Sequence, residues 1–148
     1  HDRWGDSAGE ACLDACCGSG IGAYALQRRG MQPLAYDNDP ALLALGLRAG
    51  RLDPECTMWI DGTQATRYCP PFLYGTAFML GEIHSFNEEM WQRIVEELLQ
   101  LAQNVLITTG TEREARIVAD WCQRKNRSAR VEEYPLDPIY ERWICQIP

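Results

Sequence analysis

Four acids and a cluster of glycines carry most of the chemistry legible in this chain. Asp14 lies inside an apolar run, ACLDAC, and four residues later comes Gly18-Ser19-Gly20-Ile21-Gly22-Ala23. Glycines let a backbone turn sharply and approach a ligand with no side chain between. A helix that starts there presents free amide donors. Asp37 ends the next apolar run, nineteen residues beyond Gly18, and its two oxygens suit the neighbouring hydroxyls of a ribose. Asp61-Gly62 ends a third run, and Glu82 with His84 follows a fourth.

Two cofactor chemistries fit the glycine turn. As G-x-G-x-x-A followed by Asp37, it matches a dinucleotide fingerprint, which implies a nicotinamide-dependent, NAD(P)-linked oxidoreductase. Asp14 argues the other way. An acid inside the first strand repels a pyrophosphate or lies buried at a cost, whereas a cofactor with an ammonium and a sulfonium welcomes it.

Elements must hold these residues at strand ends, and the pattern supplies them. ACLDAC reads as a buried strand, and residues 20–30 as a helix closed by Gly30. MQPLAYDND is a second strand; Asp39 and Pro40 cap and open a helix over 41–52. CTMWID is a third strand and TQATRYCPPFLYG a loop. TAFMLGEIHSF, 76–86, is expected as a fourth strand, with alternation setting Glu82 and His84 on one face. Asn87 is expected to cap a helix over 88–102 with an apolar stripe of Met90, Ile94, Val95, Leu98, Leu99 and Leu101. NVLITTG is a fifth strand. Thr111 caps a helix over 112–126 that turns Ile117, Val118 and Trp121 inward. ARVEEYPL and YERWICQIP close the chain as two strands around a turn at Asp137-Pro138. The expectation is an α/β fold: one doubly wound, mostly parallel seven-stranded sheet with a C-terminal antiparallel pair, filling residues 1–148 as a single domain.

With the motifs in place, the chain resembles the class I S-adenosylmethionine-dependent methyltransferases, whose first motif reads acid-x-x-x-Gly-x-Gly. LDACCGSGIG supplies it with Asp14, Gly18, Gly20 and Gly22. The resemblance implies S-adenosylmethionine as cofactor and a Rossmann-like methyltransferase core. Asp37 becomes the ribose-binding acid, and Asp61 beside Gly62 the contact to the adenine amino group. Gly81, in GEIHSF, falls where that family lines the methionine part and the substrate. Cys16, Ser19 and Asn38 join the cofactor-facing set as neighbours of these positions. The helices that usually precede the first strand are absent or short, so residues 1–10 read as a truncated lid or tail. Cover from a second copy or a partner subunit is the other expectation.

Methyl transfer needs alignment and exclusion of water, and a base only for a protonated acceptor. Glu82 and His84 are the candidates for that base. His84 has a second reading, as a cap for the following helix with Ser85 and Asn87. CPPF, residues 69–72, resembles the Pro-Pro-aromatic motif of adenine amino-methyltransferases, but Cys69 lacks a carbonyl to accept from an amine. Cys16 and Cys17 read as packing residues rather than nucleophiles.

Composition narrows the classes further. The net charge of −7 disfavours bulk nucleic-acid binding, although the Arg-rich segment 113–130 leaves it open. A small-molecule or protein acceptor is favoured. Seven scattered cysteines, an odd number, indicate reduced thiols and a cytoplasmic location. No Cys or His spacing suits a metal site. No apolar run approaches the ~20 residues of a membrane span. The chain begins with His rather than Met, which reads as a processing boundary with sequence missing upstream. A non-catalytic module of the same fold, binding cofactor or stabilising a partner, is the third functional reading.

Overall fold

The computed structural model describes residues 4–136, 139 and 141–148. Seven strands form one sheet: β1 (Ala11–Ala15), β2 (Gln32–Asp37), β3 (Thr57–Trp59), β4 (Phe72–Ala77), β5 (Ala102–Thr109), β6 (Arg130–Glu133) and β7 (Trp143–Ile147). Their order across the sheet is β3-β2-β1-β4-β5-β7-β6. The first five pair in parallel, and β7 runs antiparallel between β5 and β6. The α/β architecture expected from sequence is therefore present, terminal antiparallel pair included. The expected turn at Asp137-Pro138 lies outside the described residues.

Four helices connect the strands: α1 (Ile21–Arg28), α2 (Pro40–Arg48), α3 (Glu88–Leu101) and α4 (Glu112–Arg124). Alternation along β1 divides the core. Leu13 and Ala15 join the main cluster with Tyr36, Val95, Leu98, Val118 and Trp121, whereas Cys12 packs with Leu26 and Met31. Successive strand residues point to opposite faces, so α3 and α4 cover one face and α1 the other. The strand order reverses between β1 and β4, because β2 and β3 lie to one side and β5 to the other. In such sheets that switch point is where a ligand crevice opens.

Local chemistry explains most boundaries. The Asp39 carboxylate accepts the N–H groups of Ala41 and Leu42, and Pro40 opens α2. Thr111 and Glu114 form a reciprocal capping box on α4. Gly30, at φ +82°, donates its N–H to the Gln27 carbonyl and closes α1. Arg127 donates to the carbonyls of Leu99, Ala102, Gln103 and Pro148, tying the α3–β5 junction to the carboxyl end.

Three expectations are corrected. The fourth strand is Phe72–Ala77, not 76–86, so the CPPF segment leads straight into it. It stops because Met79 turns to φ +54° and gives its N–H to Thr108 Oγ1 at 2.7 Å instead of to a ladder partner. Asn87 makes no side-chain cap on α3; its Oδ1 accepts the His84 N–H and its Nδ2 donates to the Glu82 carbonyl. Residues 63–67, expected as the start of a loop, belong with Gly62 to 3-10 turns over Gly62–Arg67 capped by Asp61. All seven cysteines are free. Among the described residues no helix is long and apolar enough to cross a membrane, and no group of three His, Cys, Asp or Glu side chains could hold a metal.

Candidate functional site

A cleft of about 490 Å³ opens beyond the carboxyl ends of β1, β2 and β4. One end is formed by Asp37, Asn38, Leu42 and Gly62, the other by Phe78, Met79, Gly81 and Glu141. The glycine turn runs between them, with Cys16, Cys17, Gly18, Ser19 and Gly22 on the wall. Three left-handed residues, Cys16 (φ +54°), Gly18 (φ +54°) and Gly20 (φ +78°), coil this turn. Cys16 is the one that carries a side chain, a strain of roughly 1–3 kcal/mol that the surrounding turn must hold.

Asp37 locks the turn to β2. Its Oδ2 accepts the Gly18 N–H at 2.8 Å and its Oδ1 accepts the Asp39 N–H at 2.9 Å. Each carboxylate oxygen has two lone pairs, so each retains one for an incoming hydroxyl. Gly22 is required sterically: a Cβ there would lie 2.5 Å from Phe78 Cδ2 and 3.2 Å from Asp14 Oδ2. Tyr36 Oη and Trp91 Nε1, both on residues that line the cleft, are buried without a hydrogen-bond partner.

Asp14 is 1% exposed and does not line the cleft. Its Oδ1 accepts from the Thr76 hydroxyl at 2.8 Å; no hydrogen bond of good geometry reaches its Oδ2, although the Ala23 N–H acts on the carboxyl. Burial pushes the carboxyl up to about 7, against the opposing pull of the Thr76 hydroxyl and the Ala23 N–H; Asp37 and Glu141 add a smaller like-charge push. Strand alternation accounts for this position: Asp14 faces α1, beneath Gly22, instead of opening onto the ligand side.

The remaining sequence candidates separate. Cys16, Gly18, Ser19, Gly22, Asp37, Asn38, Gly62 and Gly81 come together on the cleft wall. Gly20 lies behind it, capping α1, where a Cβ would meet Leu52 at 2.5 Å. Asp61 also stands outside the wall. Its Oδ1 accepts both the hydroxyl and the N–H of Thr63, which hold its carboxyl below the usual range. Glu82 and His84 leave the strand altogether and sit in the loop after it. The His84 ring braces that loop, with Nδ1 accepting the Phe86 N–H at 3.3 Å and Nε2 3.2 Å from Asn87 Nδ2.

Sequence reasoning missed Tyr36, Met79, Trp91 and Glu141 on the wall. Met90, expected in the buried stripe of α3, is instead 41% exposed and faces the cleft with Trp91. The helical period carried no signal for them: Met90 stands one turn ahead of Ile94 on the same stripe, and its place in the first turn of α3 sets it at the cleft, where Ile94 also lines the wall. Glu141 had none, because the β6–β7 connection reaches the cleft only through the fold.

No protein-family model matches the chain, and a search of curated proteins finds no match. Solved structures do. Magnesium protoporphyrin IX methyltransferase from Synechocystis, crystallised with S-adenosylmethionine, superposes with a TM-score of 0.75 at 17% identity, over 97% of this chain and 72% of its own. A putative RNA methyltransferase from Pyrococcus horikoshii gives 0.71 at 11%, over 97% and 75%. The ribosomal protein L11 methylase from Lactobacillus delbrueckii gives 0.69 at 16%, over 94% and 69%. The chain has the class I, Rossmann-like methyltransferase fold.

Proposed function

We propose that this chain binds S-adenosylmethionine in the 490 Å³ cleft and transfers its methyl group. The observation that carries the reading is the charge of the wall. Its ionisable carboxylates are Asp37 and Glu141, with Asp14 sealed behind, and among the described residues no Lys or Arg lines it. A dinucleotide pyrophosphate would bring two negative charges to acids with no compensating cation, which disfavours the nicotinamide alternative. A cofactor carrying a sulfonium and an ammonium meets the complementary sign.

The residues present fit that cofactor. Asp37 has lone pairs for two ribose hydroxyls, the Gly18–Ser19 backbone allows close approach, and Glu141 supplies an acid at the opposite end. When bound, the sulfonium supplies a methyl carbon already activated towards a nucleophile. The chain's own part is positioning: Phe78, Met79, Met90 and Trp91 wall the β4 end and exclude water. Glu82 and His84 are not needed for alignment, and neither lines the cofactor cleft. The seven free thiols support a reducing, cytoplasmic setting.

Isothermal titration with S-adenosylmethionine, its demethylated product and NAD tests the reading. Binding of the first two and not the third is expected. In Asp37→Ala the affinity should fall by about tenfold or more, the scale of a lost hydrogen bond to a charged group. Tight NAD binding without response to S-adenosylmethionine would overturn the assignment.

A further inference from the structure

The loop after β4 separates the cofactor cleft from a second one of about 480 Å³. Met79 and Gly81 belong to both walls. Met79 holds its left-handed conformation through its own N–H on Thr108 Oγ1, seconded by the Leu80 N–H on the Thr108 carbonyl at 2.9 Å. The partition between the clefts is thus a strained residue clamped from β5, and its side chain is still 51% exposed. Non-glycine strain of this kind concentrates at ligand-handling positions.

The second cleft is open to solvent along Glu82, Arg113 and Ile139. Small-molecule sites enclose most of their ligand, and this groove does not. Exposed apolar side chains accompany it: Ile139 on its wall is 69% exposed, and Phe86, four residues beyond Glu82 on the same loop, is 97% exposed. On the wall the exposed charges are Glu82 and Arg113; the loop then runs into Glu88 and Glu89 in the first turn of α3, and Glu141 lies beyond the partition, so acids outnumber bases. The Arg113 guanidinium donates to the Ile83 carbonyl, and the buried Glu114 carboxylate accepts from Ile83 and Thr111. Among the described residues Arg113 is the one cation on the wall, while Arg116 pairs with Glu112, Lys125 with Glu96, and Arg127 reaches backbone carbonyls away from it. A phosphate backbone would find Arg113 alone against Glu82, Glu88 and Glu89.

Resting on the methyltransferase reading, we propose that this surface receives a basic, partly apolar polypeptide segment and that the methyl acceptor is the side-chain amine of a lysine on it. Acidic side chains answer the segment's charge, and Phe86 and Ile139 cover its apolar residues. The lysine reaches past Met79 into the cofactor cleft. Its nitrogen first loses a proton to water. The nitrogen lone pair then forms the N–CH₃ bond as the S–CH₃ bond breaks, that bond's electron pair staying on sulfur as a neutral thioether.

The test uses the full chain with three probes of similar length: a fluorescein-labelled Lys/Leu peptide, its Glu/Leu counterpart and a mixed-sequence RNA. Fluorescence anisotropy reads binding without cofactor, and tritium transfer from S-adenosylmethionine with mass spectrometry reads the product. The basic peptide should bind tightest and gain methyl groups on lysine. The double variant E88K/E89K should weaken its binding by about tenfold or more, Phe86→Ala should weaken it as well, and both should keep cofactor affinity within about twofold. Because helix α3 could suffer from the charge reversal, circular dichroism checks it, and Phe86→Ala provides an independent arm. Preferential RNA binding, methylation of a free small amine but not the peptide, or unchanged peptide affinity in both variants would overturn the proposal. Failure to bind S-adenosylmethionine in titration, with peptide binding intact, would instead overturn the cofactor reading.

Discussion

Replacing Asp14 by Asn should change how stability depends on pH more than it changes stability itself. The carboxyl ionises near 3.8 in an unfolded chain and at about 7 here, raised chiefly by burial. Below the lower value it is protonated in both states and costs nothing. Between the two, the unfolded chain releases its proton while the folded chain keeps it, so stability falls as pH rises. The loss is complete above about 7. A gap of roughly 3 units, at ~1.4 kcal/mol each, sets the scale at about 4 kcal/mol. The Asn side chain keeps an Oδ1 to accept from Thr76 and cannot ionise. Its amide sets a donor in place of an acceptor oxygen near the Ala23 N–H, a pH-independent cost of about 1–3 kcal/mol. Urea unfolding followed by tryptophan fluorescence, with Trp121 buried in the main cluster, measures both proteins at about pH 4, 6 and 8. The stability of the Asp14→Asn variant relative to the parent should climb by up to about 4 kcal/mol across that range, whatever the constant offset. A difference that is flat with pH, or that falls, would refute burial as the cause.

Gly22→Ala forces a Cβ to 2.5 Å from Phe78, which should cost about 1–3 kcal/mol and lower the calorimetric Tm by several degrees while weakening cofactor binding. Arg127→Ala leaves the carbonyls of Leu99 and Ala102 without this donor and should destabilise by about 2–4 kcal/mol, read as a lowered urea midpoint. His84→Ala should leave the pH profile of methyl transfer unshifted, since the imidazole braces a loop outside the cofactor cleft; loss of a limb near neutral pH would restore it as a base.

What can be read in advance is the chemistry that acts over a few residues. The Gly18–Gly22 turn, the Asp39-Pro40 start of α2 and the Thr111–Glu114 box are local arrangements, and each is found where its residues stand. The end of β4 is not legible because its cause is remote: Thr108, on β5, takes the Met79 N–H and turns the chain out of the sheet. Glu82 and His84 align only through an alternation that requires a strand, and the strand has already ended. Nearness along the chain points Asp14 to the ligand. Its neighbours across the sheet, Ala35 and Thr76, instead place it on the α1 face. Asp61 and Asn87 are short polar side chains that find backbone or hydroxyl partners two to five residues away. Glu141 reaches the cleft only because β7 inserts between β5 and β6, a topological fact that local pattern does not contain.

Ile83 has both of its backbone groups taken by α4: its N–H by Glu114 Oε1 at 3.1 Å and its carbonyl by Arg113 at 3.0 Å. The loop between the two clefts is thereby ordered when the protein folds, and the ordering entropy does not fall on the binding step. Association at this surface should then behave as docking of preformed shapes, with mutations around it expressed in dissociation rates more than in arrival. Hydrogen exchange would register the same fact from the inside. The Ile83 amide, though it sits in a connection and not in a strand, should exchange with the slow residues of α4 and not with its neighbours at 84–86.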